Sequence, residues 1–519
     1  MMKKASLRIP ILMIASLLIF TSCSSGSKDE ASPQGDGVTN AQLDPNADRH
    51  ASSGAPAPSE SYLVIDENET TRAADAQTIA FSLKVDTAAY TNVARYIWSG
   101  NLPPKDAVRT EELINYFNYE ADLPVADGPF GIYTEIGPSP FDAGKYMAFI
   151  RVKTEDVPIA DLPPCNLTFL IDTSGSMDSY DKLPLLKEAF SLLVETLGEN
   201  DKVSIVTYAG SAGVVLDSAS GSDKAAILAA INNLHASGST AGAEGILAAY
   251  ALAEKNYMER GNNRVILATD GDFNVGLSST KELEQLVAEK RGDGVYLSIL
   301  GFGTGNIRDD IMETLSAHGN GNYSYIGTVA TAKKVLVDEL GSNLYTVAED
   351  VKAQLAFNPD YVESYRLIGY ENRRMTDEEF EDDRTDAGEI GVGTDVVIMA
   401  EFALAEAALS SGLPIQKLST TVSPNALFEL SIRYKEPGRN KDYAIAKTIT
   451  TAHIKDLNSS DFGFACSVTA FSHLLRGSEY IGEATLGGIR AIAAENMGED
   501  VGGYRADFVD MLDAYGRLG

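Results

Sequence analysis

An apolar run, Phe169-Leu170-Ile171, gives way at once to Asp172-Thr173-Ser174-Gly175-Ser176, so that one carboxylate and two serine hydroxyls fall within five residues. An apolar run closed by a polar, glycine-containing turn is the pattern of a buried parallel strand delivering its last residues to the carboxyl edge of a sheet. Open α/β sheets bind their ligands at that edge. The surrounding sequence agrees. From about Asn166 to Leu344, strand-like runs (Leu167 to Ile171, Lys202 to Tyr208, Arg264 to Ala268, Val295 to Leu300, Tyr323 to Ile326) alternate with helical stretches. Those stretches are Lys182 to Leu197, Asp223 to Leu234, Ala241 to Tyr257, Lys281 to Glu289, Asp309 to Ala317 and Ala330 to Leu340. The alternation predicts an α/β domain with a doubly wound, mainly parallel sheet, in which the short run Val214 to Leu216 is an antiparallel edge strand.

The flanks read differently. Before the α/β block come the alternating run Phe81 to Val85, a helix over Tyr90 to Trp98 stopped by Gly100, a second over about Lys105 to Phe117, and strands Gly131 to Ile136 and Tyr146 to Val152. The aromatic stripe of Tyr90, Tyr96, Ile97, Tyr116 and Phe117 reads as core. After the block, period-two alternation returns in Val351 to Phe357, Val396 to Leu404, Phe428 to Tyr434 and Tyr443 to Thr450, the pattern of antiparallel strands with one solvated face. We expect these to pair with the strands before Cys165, so that the α/β domain is inserted into a β-sandwich-like domain. A helical tail follows: Ser460 caps Asp461 to Leu475, Gly477 ends that helix, and further helices cover about Glu483 to Glu495 and Gly503 to Tyr515. The acidic stretch Asp377 to Glu389 lacks calcium-loop spacing and reads as a solvated hairpin.

At the N-terminus, Lys3, Lys4 and Arg8 precede an eleven-residue apolar run, Pro10 to Phe20. A membrane-spanning helix needs about 20 apolar residues, so this run suits a signal-peptide core instead. Phe20-Thr21-Ser22-Cys23 resembles the bacterial lipobox, which implies lipidation at Cys23, and Lys28-Asp29-Glu30 resembles a surface-export signal of bacterial lipoproteins. The first resemblance implies a cell-envelope location as an outer-membrane lipoprotein, and the second implies exposure at the surface. Residues 23–61, rich in Ser, Gly, Ala, Pro, Asp and Asn, read as a disordered tether. The expected organisation is a signal peptide (1–22), that tether, an N-terminal helical and strand region (78–165), the α/β domain (166–344), a β-sandwich-like region (345–455) and a helical C-terminal region (456–519). The 519 residues, 44% of them hydrophobic, suffice for several cores, and the formal charge of −32 argues against a nucleic-acid partner. Cys165 and Cys466 read either as one disulfide or as two buried thiols.

Asp172-x-Ser174-x-Ser176 offers what a hard divalent cation wants: oxygen ligands and few net charges. Thr240, in Gly238-Ser239-Thr240-Ala241-Gly242 before a helix, and Asp270, in Thr269-Asp270-Gly271-Asp272 after a strand, sit at the ends of later elements. The five residues together resemble the metal-ion-dependent adhesion site of von Willebrand factor type A domains, Asp-x-Ser-x-Ser followed by Thr and then Asp. That resemblance implies Mg2+, or Mn2+ or Ca2+, held directly by Ser174, Ser176 and Thr240 and directly or through water by Asp172 and Asp270. Three neutral hydroxyls leave such an ion under-neutralised, with a corner open to a partner's carboxylate. The flanks, including Val85 to Tyr90, Leu102 to Arg109 and Leu475 to Ser478, are similar to bacterial type A lipoproteins of uncharacterised function.

The expected function is therefore binding of an acidic group on a protein or matrix partner, with the membrane engaged only through the lipid anchor and no nucleotide. The alternative is an envelope scaffold in which the metal merely stabilises the domain. Hydrolysis is disfavoured: no His-Glu-x-x-His, Gly-x-Ser-x-Gly or Gly-x-x-x-x-Gly-Lys occurs, and His50, His235, His318, His453 and His473 are scattered. Asp272 is the nearest base in sequence to Asp270, and nothing else supports catalysis.

Overall fold

In the computed structural model, the strand that carries Phe169 to Ile171 runs from Cys165 to Asp172 and is buried at every residue. It lies inside a six-stranded sheet in the order Tyr323–Ile326, Val295–Phe302, Asn262–Thr269, Cys165–Asp172, Lys202–Tyr208, Ala212–Ser220. All neighbours are parallel except the last pair, where Ala212–Ser220 runs antiparallel at the edge. The chain winds outward from Cys165–Asp172 on one side and then returns to build the other, so Asp172 sits where the winding reverses. That switch point opens a crevice at the carboxyl ends of the strands. Helices pack on both faces over two separate apolar cores, one around Phe169, Phe190 and Ile205, the other around Leu170, Tyr250 and Leu297. The structure describes residues 60–519 except 85, 120–127, 159–160, 239–241, 272–279, 407–421, 424, 438–440, 456 and 519. Cys23, the signal run and the tether residues before 60 lie outside the described residues.

The α/β unit is inserted into a sandwich of two antiparallel sheets. Lys145–Thr154, before the insertion, pairs with Asp395–Leu404 after it, and Thr78–Ser82 pairs with Thr346–Phe357. The ends of the insertion meet: Cys165 Sγ lies 2.8 Å from Tyr345 Oη, and Asn262 Nδ2 donates to the Leu344 carbonyl at 2.6 Å. Apolar side chains from both sheets, among them Phe81, Ile150, Leu355, Ile398 and Leu430, form the core between them.

Several details depart from the sequence reading. Ala426–Lys435 alternates buried and half-buried as expected, yet Lys145–Thr154 and Asp395–Leu404 are buried on both faces. The second face of that sheet, with Met147, Phe149, Val397 and Met399, is covered by the N-terminal and C-terminal helices rather than by water. The helix expected over Lys105 to Phe117 splits into a turn, Lys105–Ala107, and a helix, Thr110–Ile114, because Arg109 adopts an extended backbone that aims its guanidinium into a buried ion cluster. The acidic stretch opens with a short helix, Asp377–Glu381, and ends in the strand Gly388–Gly391, which pairs with Thr346–Phe357, so it is not a hairpin. Thr376 and Glu379 form a reciprocal capping box that nucleates the helix, and Arg433 pairs with Glu381 and Asp383. Among the described residues no group of three or more His, Cys, Asp or Glu side chains is placed to hold a metal. The tail helix runs Ser460–Arg476 with Ser459, one residue earlier than expected, as its cap, and Gly477 ends it at φ +62°. Cys165 and Cys466 are buried free thiols in different cores.

Candidate metal centre

Asp172 ends its strand with a fully buried carboxylate, and the chain then turns over it: the Ser174 N–H donates to Asp172 Oδ1 at 2.8 Å. The turn is pinned from two sides. Thr173 N–H donates to the Tyr208 carbonyl at 2.9 Å, and Gly175 N–H to the Gly238 carbonyl at 3.1 Å. These bonds bring the hydroxyls of Ser174 and Ser176 to 2.9 Å from each other. Ser174 is buried and Ser176 exposed, so the pair leads from the carboxylate floor to solvent.

Asp270 follows the neighbouring strand Asn262–Thr269 and is fully buried. Parallel register sets Ile171 opposite Ala268, which brings the next residues of both strands to the same edge. Thr269 Oγ1 stands 3.5 Å from Asp172 Oδ2 and accepts the Gly271 N–H at 3.2 Å. Gly271 is at φ +98°, and a Cβ there would come within 2.5 Å of the Asn306 carbonyl oxygen, so glycine is what lets the two loops touch. Burial pushes the Asp172 carboxyl up to about 6, with the charge of Asp270 adding to the rise and the Ser174 N–H opposing it. Burial also drives the Tyr208 phenol well above its ordinary range, with Asp172 adding to it.

The structure thus brings together Asp172, Ser174, Ser176 and Asp270. Thr240 lies outside the described residues; Gly238, which accepts the Gly175 bond, is its nearest described neighbour on the N-terminal side. Sequence reasoning missed Lys182, whose Nζ lies 2.8 Å from Asp270 Oδ2, as well as Thr269 and Tyr208. A lysine ahead of an apolar helix reads as a solvated residue, so no sequence signal marked it.

The donor set suits a hard cation. The Ser174 and Ser176 hydroxyls, hydrogen-bonded to each other at 2.9 Å, are neutral oxygen donors of the kind a hard divalent cation takes.

The chain's relatives bear on this geometry. The von Willebrand factor type A domain family matches residues 166–337, with a von Willebrand factor match over 56–148 and a family named for the C-terminal part of the uncharacterised protein YfbK over 342–518. The uncharacterised protein YfbK of Escherichia coli K12 is 40% identical over 467 residues, covering 87% of this chain and 80% of its own. The chain belongs to the YfbK family of von Willebrand factor type A proteins. A pig protein, inter-alpha-trypsin inhibitor heavy chain H4, is 34% identical over 148 residues, 27% of this chain and 16% of its own length. Among solved structures, a von Willebrand factor type A protein from Catenulispora acidiphila aligns with 76% of this chain and 91% of its own at 16% identity and a TM-score of 0.42. Type A domains commonly carry a divalent-metal site of this kind and mediate protein interactions. YfbK is itself uncharacterised, so what membership gives is the architecture of the family.

Proposed function

We propose that this protein is a lipid-anchored binding protein of the cell envelope, which holds Mg2+ at Asp172, Ser174, Ser176, Thr240 and Asp270 and presents it to a carboxylate on a protein or matrix partner. The observation that carries the reading is the arrangement of the described ligands. Two buried carboxylates form the floor, and two hydroxyls 2.9 Å apart lead out to an exposed rim at Ser176. The hydroxyls orient without adding charge, and the Ser174 N–H fixes the rotamer of Asp172. Bound there, Mg2+ supplies an electrophilic corner that a carboxylate oxygen can fill. The envelope location rests on the apolar run and lipobox-like segment ending at Cys23.

Calorimetric titration of Mg2+ into the wild type and Asp172→Ala tests the first step. We expect binding by the wild type and a loss of at least about 10-fold in the variant. Equal binding by both would sink the metal-centre reading.

A further inference from the structure

Lys182 has no place in the ligand set, yet its position at the centre is built with care. It immediately precedes the helix Leu183–Thr196, with a non-helical backbone of φ −122° and ψ −109°, and it is only 8% exposed. Its Nζ lies 2.8 Å from Asp270 Oδ2 and 3.4 Å from Asn306 Oδ1. The aliphatic stem passes over Gly303, at φ +74°, where any Cβ would stand 2.3 Å from Lys182 Cε. The Gly303 carbonyl is in turn held by the Tyr325 hydroxyl at 2.9 Å. Glycine therefore clears the path of the side chain, and three loops aim its ammonium at one carboxylate of the site.

The consequence is a matter of charge. Asp172 and Asp270, when ionised, would together neutralise a divalent ion. Lys182 cancels one of those charges, so the same ion leaves the centre with a net positive charge in surroundings where water screens it poorly. An anion arriving at the exposed rim removes that excess. We propose that Lys182 makes metal binding and partner binding mutually dependent: by neutralising Asp270 it leaves Mg2+ short of negative charge until a carboxylate completes the site. The proposal rests on the metal-centre function above and adds its regulation. Because coupling between two ligands is reciprocal, a partner's carboxylate tightens Mg2+ binding by the same factor as Mg2+ tightens carboxylate binding.

The test titrates Mg2+ calorimetrically into the whole protein, with and without sodium acetate at matched ionic strength. Acetate serves as the carboxylate probe. For the wild type, acetate is expected to raise Mg2+ affinity about 5-fold or more, the lower end of ordinary coupling. Lys182→Met, of similar length and without charge, is expected to bind Mg2+ more tightly than the wild type in the absence of acetate and to respond little when acetate is added. Lys182→Arg should restore the acetate response. Mg2+ binding by the wild type without acetate coupling overturns this proposal together with the carboxylate-binding half of the function above and leaves the metal site standing, and that measurement needs no variant. A Lys182→Met protein that keeps the wild-type affinity and coupling overturns it too. So does a folded Lys182→Met protein with weakened Mg2+ binding, which would make Lys182 a strut for Asp270. A wild type that binds no Mg2+ overturns the metal-centre reading and this proposal together.

Discussion

His473 faces inward from the Ser460–Arg476 helix and lines a small cavity with Glu401, Cys466 and Tyr480. Burial first, and then the positive charges of Arg366, Arg476 and Lys145, lower its pKa from 6.5 to about 3. The fold accommodates the neutral ring. Its contribution to stability is therefore complete above pH 6.5 and is lost as pH falls toward 3, at up to about 1.4 kcal/mol per pH unit. Urea denaturation at pH 7 and pH 5 should show a larger loss of stability in the wild type than in His473→Gln, and parallel losses would refute the assignment. The same residue scale shows what a sequence can display at a site. Asp172, Ser174 and Ser176 were legible because one turn presents all three. Asp270 was legible because a polar, glycine-containing turn follows an apolar strand there, in the order the type A resemblance implies. Lys182 was not, since only the tertiary approach of the loop containing Gly303 turns a surface-type residue into a buried partner of Asp270.

Between elements, the decisive contacts are buried ions. Arg109, just before the Thr110–Ile114 helix, bonds to Glu112 and Asp309 at 2.5 Å each and lies 3.4 Å from Glu313. Arg373 bridges Asp86 and Glu313, and Lys84 pairs with Asp86 at 3.0 Å. This network joins the Asp309–His318 helix of the inserted unit to segments of the surrounding domain. Arg109→Met leaves Glu112 and Asp309 buried without their main partner, which should cost roughly 3–5 kcal/mol. A urea midpoint within error of the wild type would show that the network contributes no stability. The last helical stretch of the inserted unit was expected to be regular. Instead Lys334–Asp338 forms a π-helical turn, and the buried Lys334 ammonium reaches Glu339 at 2.5 Å and the rings of Tyr116 and Tyr504 at 4.9 and 4.4 Å. Apolar periodicity carries no trace of partners that arrive from distant segments.

At the scale of the whole molecule, the C-terminal helices complete a sheet whose strands come from both sides of the insertion. Removing residues 460–519 would uncover Met147, Phe149, Val397 and Met399 and strip Arg151 of its contact with Asp461. We expect such a truncated protein to aggregate or to unfold without a cooperative transition, as read by size-exclusion chromatography and urea denaturation; a monomer that unfolds cooperatively would show that the helices are dispensable. The N-terminal end of the described chain has its own place near the candidate metal centre. Ser61 and Glu60 bond to Ile307 and Gly305, in the loop that also supplies Asn306 to Lys182. Local pattern alone determined the inserted α/β unit, its antiparallel edge, and the turn that carries Asp172, Ser174 and Ser176, because strand and helix periodicities and a single turn are short-range properties of the chain. Tertiary structure decided which sheet face is dry, where Arg109 and Lys334 place their charges, and that Lys182 sits on Asp270. Those outcomes depend on burial, and burial is set by segments far apart in sequence.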